Sequence, residues 1–176
     1  MKWLGQIGIL VVAIAAGAAG LYAGRLWSQW APPSALQIGA PMIDFVMPDV
    51  AEKPLDTRQF RGRTLVINFW APWCEPCIRE IPMFNRIRDE YAGRVEFLGV
   101  SLDDPQVVKD FAQEHGIRYP LVMAAMGDYA LMRAYGNERD ALPFTVIVDA
   151  QGRLVARRLG EIREAELRGM LDQADG

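Results

Sequence analysis

Short apolar runs separated by polar turns mark out the chain. From Thr64 to Trp70 it reads Thr-Leu-Val-Ile-Asn-Phe-Trp, a β-branched and aromatic run that predicts one buried strand. Beyond it Ile78, Ile81, Phe84, Ile87 and Tyr91 recur at helical spacing, and Pro76 suits a first turn, so a helix follows the strand. Val95 to Ser101 is a second buried strand, and Asp104-Pro105 opens a helix that Gly116 ends. A short strand near Leu121 to Met123 precedes a helix over 128–135 that Gly136 stops. Phe144 to Val148 and Leu154 to Leu159 are strands on either side of Asp149-Ala150-Gln151-Gly152, a good hairpin turn. The last helix, over about 163–173, turns Leu167, Met170, Leu171 and Ala174 to one side. Strand alternating with helix, then a hairpin and a closing helix, argues an α/β sheet covered on both faces. Ahead of this, over 38–60, apolar pieces broken by Pro41, Pro48 and Pro54 fit a loose hairpin, and Arg61-Gly62-Arg63 turns the chain into the main sheet.

The amino-terminal stretch follows another rule. Positions 3–24 carry no charged residue, a span of about the length that crosses a bilayer as a helix. Lys2 precedes it, and Trp3, Tyr22, Trp27 and Trp30 bracket it as interfacial aromatics do. A cleaved signal peptide is the alternative, with Ala16-Gly17-Ala18 as its small-residue site. The apolar run outlasts a usual signal core and continues past that site, which favours an uncleaved anchor. Either way the rest of the chain is expected outside the cytoplasm. Ala31-Pro32-Pro33-Ser34 reads as a stiff, extended linker. The expected organisation is an anchor over 1–27, a linker over 28–37 and one domain over 38–176.

Composition narrows the function. The chain has 176 residues, 51% of them hydrophobic, enough for one domain with a real core. A formal charge of −3 with no basic run makes it a poor nucleic-acid ligand. Cys74 and Cys77 are the only cysteines, too close in sequence to staple a fold, so their value must be chemical.

That chemistry centres on Trp73-Cys74-Glu75-Pro76-Cys77. Two residues between cysteines at a helix start let the sulfurs meet as a disulfide, and unpaired N–H groups there favour a thiolate on the first. A structural zinc site is the rival, but zinc wants four ligands and the chain offers two cysteines and His115. Glu75 sets a negative charge beside the reactive sulfur and opposes thiolate formation, which makes the expected role reductive; otherwise it is a solvated turn residue. Glu80 lies three residues after Cys77, on the same side of the helix. Partly buried, it would hold a raised pKa and shuttle a proton to or from Cys77; exposed, it would pair with Arg79 or Arg86. His115 reads as a helix-end residue, and the methionines over 123–132 as core filling.

The run Asn68-Phe69-Trp70-Ala71-Pro72-Trp73-Cys74-Glu75-Pro76-Cys77, with Glu80 and Pro82 on the helix and Ala141-Leu142-Pro143-Phe144-Thr145 before a strand, resembles the thioredoxin superfamily. Within it the chain is similar to the membrane-anchored, TlpA/ResA-type thiol-disulfide oxidoreductases of cytochrome c maturation. The resemblance implies a thioredoxin-like α/β fold: a central mixed sheet flanked by helices, with an amino-terminal extension and a central insertion over 103–139, preceded by one transmembrane helix. It implies Cys74 as nucleophile, Cys77 as the resolving thiol and Glu80 as the proton carrier that replaces a buried aspartate of cytoplasmic thioredoxins, at whose place Asn68 stands. Pro143 is implied as a cis proline that leaves the Leu142 backbone free to pair with an extended substrate, with Trp73 and Pro72 as an apolar collar. Pro76 and Glu75 would tune the couple. Ala141 departs from the glycine often found at its place.

The resemblance further implies no metal and no cofactor beyond the Cys74–Cys77 disulfide. It places the domain in the periplasm, on a bacterial inner membrane, reducing disulfide-containing proteins such as apocytochrome c or copper-centre assembly proteins. A membrane electron donor of the DsbD/CcdA type would recharge it. Two other readings stand beside this one. A peroxiredoxin-like enzyme needs a Pro-x-x-x-Thr/Ser-x-x-Cys pattern, and Ile67 and Ala71 occupy the proline and hydroxyl places. A copper-delivery protein would use the two cysteines and His115 as ligands.

Overall fold

The structure, a computed structural model, describes residues 17–23, 25 and 35–174. Residues 17–23 and 25 are helical and exposed. Most of the expected anchor and its linker lie outside the described residues, and no described helix is long and apolar enough to cross a membrane. From Ala35 onward the chain is one compact unit.

That unit is built on a five-stranded sheet. Its strands are β3 (Thr64–Trp70), β4 (Val95–Ser101), β5 (Leu121–Met123), β6 (Phe144–Val148) and β7 (Leu154–Leu159), in the order β5-β4-β3-β6-β7. β3, β4 and β5 run parallel, and β6 and β7 complete the sheet antiparallel to their neighbours. Before it β1 (Val46–Pro48) and β2 (Pro54–Asp56) form the antiparallel hairpin, and a 3-10 turn (Thr57–Phe60) leads into β3. The helices are α1 (Glu75–Glu90), α2 (Pro105–Glu114), α3 (Ala130–Ala134) and α4 (Glu164–Ala174).

β3 lies in the middle and every residue of it is buried. Because side chains alternate across a strand, Val66 and Trp70 join one core with Phe84 of α1, Val108 of α2 and Leu167 of α4. Leu65, Ile67 and Phe69 join the other, with Phe60, Met132 of α3 and Tyr135. The mixed, two-faced sheet of the thioredoxin-like fold is therefore present. α4 is tied to α1 by the ion pairs Arg86–Glu164 and Arg168–Glu90.

Four of the sheet strands and β5 fall where the apolar runs place them. α3 is shorter than the expected 128–135: the Asp128 carboxylate accepts the Ala130 N–H at 3.0 Å in a turn that precedes the helix. Gly136, at φ +99°, closes it in a conformation that suits only glycine. α2, β5 and α3 lie within residues 103–139.

Candidate active site

The chain leaves β3 at Trp70 and turns tightly, the Cys74 N–H donating to Ala71 O at 3.0 Å. Cys74 then stands at the amino-terminal cap of α1 with extended backbone angles, no side-chain hydrogen bond and Pro76 in the first turn. Cys74 thus stands at the helix end where the first N–H groups are unpaired. Cys74 and Cys77 are joined as a disulfide, with their Cα atoms 5.3 Å apart.

Both sulfur residues are more enclosed than a surface nucleophile: Cys74 is 5% exposed and Cys77 2%. They belong to an apolar cluster with Trp70 and Ala71, and Leu142 packs against that cluster. Trp73, by contrast, is 69% exposed, and Pro72 is half-buried. The indole of Trp73 is thus exposed beside an almost covered disulfide.

Leu142–Pro143 is a cis peptide just before β6. Phe144 pairs with Phe69 in the sheet, so Pro143 and Leu142 sit one and two places beyond the last paired position, beside the chain leaving β3. Upstream of them Asn137, only 1% exposed, holds Ala141 from both sides: its Nδ2 donates to Ala141 O at 2.8 Å and its Oδ1 accepts the Ala141 N–H at 3.4 Å. Asp140, at φ +52°, is fixed by the guanidinium of Arg133, whose Nε donates at 2.8 Å. Neither Asn137 nor Asp140 stands out in the sequence, although the Gly136-Asn137 helix stop just ahead of Leu142-Pro143 is a signal that could have found them.

Glu80 is 2% exposed. Its Oε1 accepts the Ile162 N–H at 2.6 Å, and its Oε2 has no hydrogen-bond partner. Burial pushes the carboxyl up to about 7; the neighbouring Glu161 charge adds to this, while the Ile162 N–H, Asn68 and Arg158 pull the other way. Asn68 donates its Nδ2 to Thr145 Oγ1 at 3.1 Å, so it lies close without completing a bond to Oε2. The surface pairing is not formed: Arg79 bonds Glu161 and Glu75, and Arg86 bonds Glu164.

Glu75 is exposed and accepts from Arg79 Nη1 at 3.1 Å, so its charge does not act on Cys74 unopposed. His115 caps the end of α2, stacked on Phe111 with ring centroids 3.7 Å apart. Met123 and Met132 are core as expected, but Met126 is 75% exposed on the loop between β5 and α3. Among the described residues no three His, Cys, Asp or Glu side chains gather to hold a metal.

Relatives carry the same architecture. The signature of the AhpC/TSA family matches residues 38–157. A thiol-disulfide oxidoreductase ResA of Bacillus thuringiensis is 28% identical over 167 residues, covering 93% of this chain and 92% of its own. The ResA of Geobacillus kaustophilus is 31% identical over 121 residues, 68% of this chain and 67% of its own. The crystal structure of a thiol:disulfide interchange protein of the thioredoxin family from Chlorobium tepidum superposes with a TM-score of 0.68 at 28% identity, over 81% of this chain and 100% of that one. With a bonded Cys-x-x-Cys pair at the head of α1 and this kinship, the chain belongs to the AhpC/TSA family, among its thioredoxin-like thiol-disulfide oxidoreductases.

Proposed function

We propose that this oxidoreductase works as a reductant of disulfides in extracytoplasmic polypeptides, with Cys74 as nucleophile, Cys77 as resolving thiol and Glu80 as proton carrier. In its dithiol form, the Cys74 thiolate attacks one sulfur of a substrate disulfide, which breaks that bond and forms a mixed disulfide. Cys77 then gives its proton to Glu80 and attacks Cys74 Sγ. The substrate leaves with both sulfurs reduced, and the Cys74–Cys77 bond is remade. Two electrons pass to the substrate, and a membrane dithiol donor of the DsbD/CcdA type would return them.

The observation that carries this reading is the buried Glu80 carboxyl one turn behind Cys77, with a proton affinity near neutrality. A reducing direction is supported by the charges at the helix start. Arg79 is committed to Glu75 and Glu161, and a thiolate given little help makes the disulfide the preferred state and the dithiol a good donor. Trp73 and the backbone of Leu142 would receive the substrate as an extended segment. The uncharged leader at 3–24 supports an anchor in the inner membrane, with 28–37 as linker and the catalytic domain in the periplasm. Likeness to cytochrome c maturation reductases favours apocytochrome c as substrate.

The test is trapping. Cys77→Ser is expected to accumulate a covalent adduct with a disulfide-bonded Cys-x-x-Cys peptide, released by dithiothreitol, and Cys74→Ser is expected to form none. Equal trapping by both variants would refute the assignment of roles.

A further inference from the structure

Three consecutive residues after β7 each grip a different part of the site. The Gly160 N–H donates to Pro143 O at 2.8 Å. Glu161 accepts a forked guanidinium: Arg79 Nε reaches both its oxygens at 3.1 and 3.2 Å, and Arg79 Nη2 reaches Oε2 at 2.6 Å. Ile162 donates its N–H to Glu80 at 2.6 Å. Arg79 and Glu80 are neighbours on α1, and Glu161 and Ile162 are neighbours on the loop, so an outer charged link runs beside an inner buried one.

The donor N–H lies in the plane of the peptide joining Glu161 to Ile162. Burial of the Ile162 side chain, 3% exposed, fixes one end of that plane. The other end is the Glu161 Cα, which follows Gly160 at φ +87° and is held by the fork on Arg79. A bidentate guanidinium–carboxylate pair fixes orientation as well as distance.

We infer that Arg79 and Glu161 are positioning residues that aim the Ile162 N–H at Glu80. This rests on the reading of Glu80 as proton carrier. Through the aim of that N–H, the exposed pair would set the pH at which Glu80 accepts the proton of Cys77. The charged and titratable groups facing Glu80 are Glu161 from the loop, Arg158 from β7, Tyr119 ahead of β5 and Arg79 on its own helix.

Glu161→Gln separates positioning from plain electrostatics by sign. As a charge, Glu161 disfavours ionisation of Glu80, so losing that charge alone would lower the Glu80 midpoint. As a clamp, Glu161 keeps a donor on the Glu80 carboxylate, so losing the clamp raises it. In the oxidised full-length protein in detergent, followed by carbon-13 NMR of the Glu80 carboxyl, Glu161→Gln is expected to raise the midpoint by about one pH unit, the size of a lost hydrogen bond to a charged group. The charge reversal Arg79→Glu with Glu161→Arg is expected to return it to the wild-type value. A midpoint that falls or stays in Glu161→Gln, or that the reversal does not restore, overturns the inference. Failure of the Glu80 reading shows separately, as a pH–rate profile unchanged in Glu80→Gln.

Discussion

Glu80 is a carboxylic acid that the fold keeps away from water, and this has a thermodynamic signature. Its folded pKa of about 7 lies above the ordinary carboxyl value of 4.5, so between those values the native state binds more protons than the unfolded chain. Stability therefore falls as pH rises from about 4.5 to 7, and a group neutral at every pH would escape that loss. Glu80→Gln is expected to be no more stable than the wild type near pH 4 but more stable above pH 7, by about 3 kcal/mol at most. Urea unfolding of the oxidised proteins across that range measures the difference. The same substitution is expected to slow disulfide exchange roughly 100-fold above neutrality and to remove the rise in rate through pH 7, as the loss of a general base does. Stopped-flow reduction of a disulfide peptide by the dithiol form reads both. A variant more stable and less active is the pattern of a residue kept for chemistry.

At the scale of elements, the site depends on how closely β3 and β4 approach. Gly99 of β4 lies under the Trp70 indole: a Cβ there would stand 2.5 Å from Leu121 Cδ2 and 2.9 Å from Trp70 Nε1. Leu121 can swing aside, but the indole is 1% exposed and wedged in the core that holds both cysteines. Gly99→Ala is accordingly expected to cost about 1–3 kcal/mol of stability by overpacking, read as a lower urea midpoint at unchanged slope. Much of this framework is legible in the chain. β3, β4 and β6 begin and end where apolar runs meet turn residues, because a strand buried on both faces has no other composition available. The Cys-x-x-Cys pair and Glu80 share one helix, so local spacing reveals them. What is not legible comes from far along the chain. The N–H that meets Glu80 lies 82 residues away on a loop, and a backbone donor leaves no mark in side-chain pattern. Arg79 reads as a candidate partner of Glu80, yet it pairs with Glu161, equally distant, because Glu80 turns into the core. Asn137 is a polar residue buried to hold Ala141, just ahead of the Leu142–Pro143 peptide, a demand that exists only once β6 is paired with β3.

For the molecule as a whole, the amino-terminal extension meets both open edges of the sheet. Near β7, the Gly39 N–H donates to Leu154 O at 2.7 Å and the Leu154 N–H to Ala40 O at 2.9 Å, beside the bridge of Pro41 with Arg153. Near β5, Asp49 bridges Val122. Met42, between these points, and Phe60, beyond them, are buried in the core on the α3 side. One segment thus both covers apolar surface and occupies backbone groups that would otherwise template another chain. Two truncations separate this role from that of the proposed anchor. A chain beginning at Ala35 keeps every one of these contacts; it is expected to stay monomeric without detergent, to unfold in one transition and to reduce a disulfide peptide like the full-length protein, while losing membrane association. A chain beginning at Arg61 keeps Cys74, Cys77 and Glu80 but leaves both edges and the Met42 site bare. It is expected to associate at micromolar concentration, which analytical ultracentrifugation of the two proteins side by side measures. A monomeric, cooperatively folding Arg61 chain would show that the extension only adds burial and is not what protects the edges, the β7 edge carrying arginines of its own, Arg157 and Arg158.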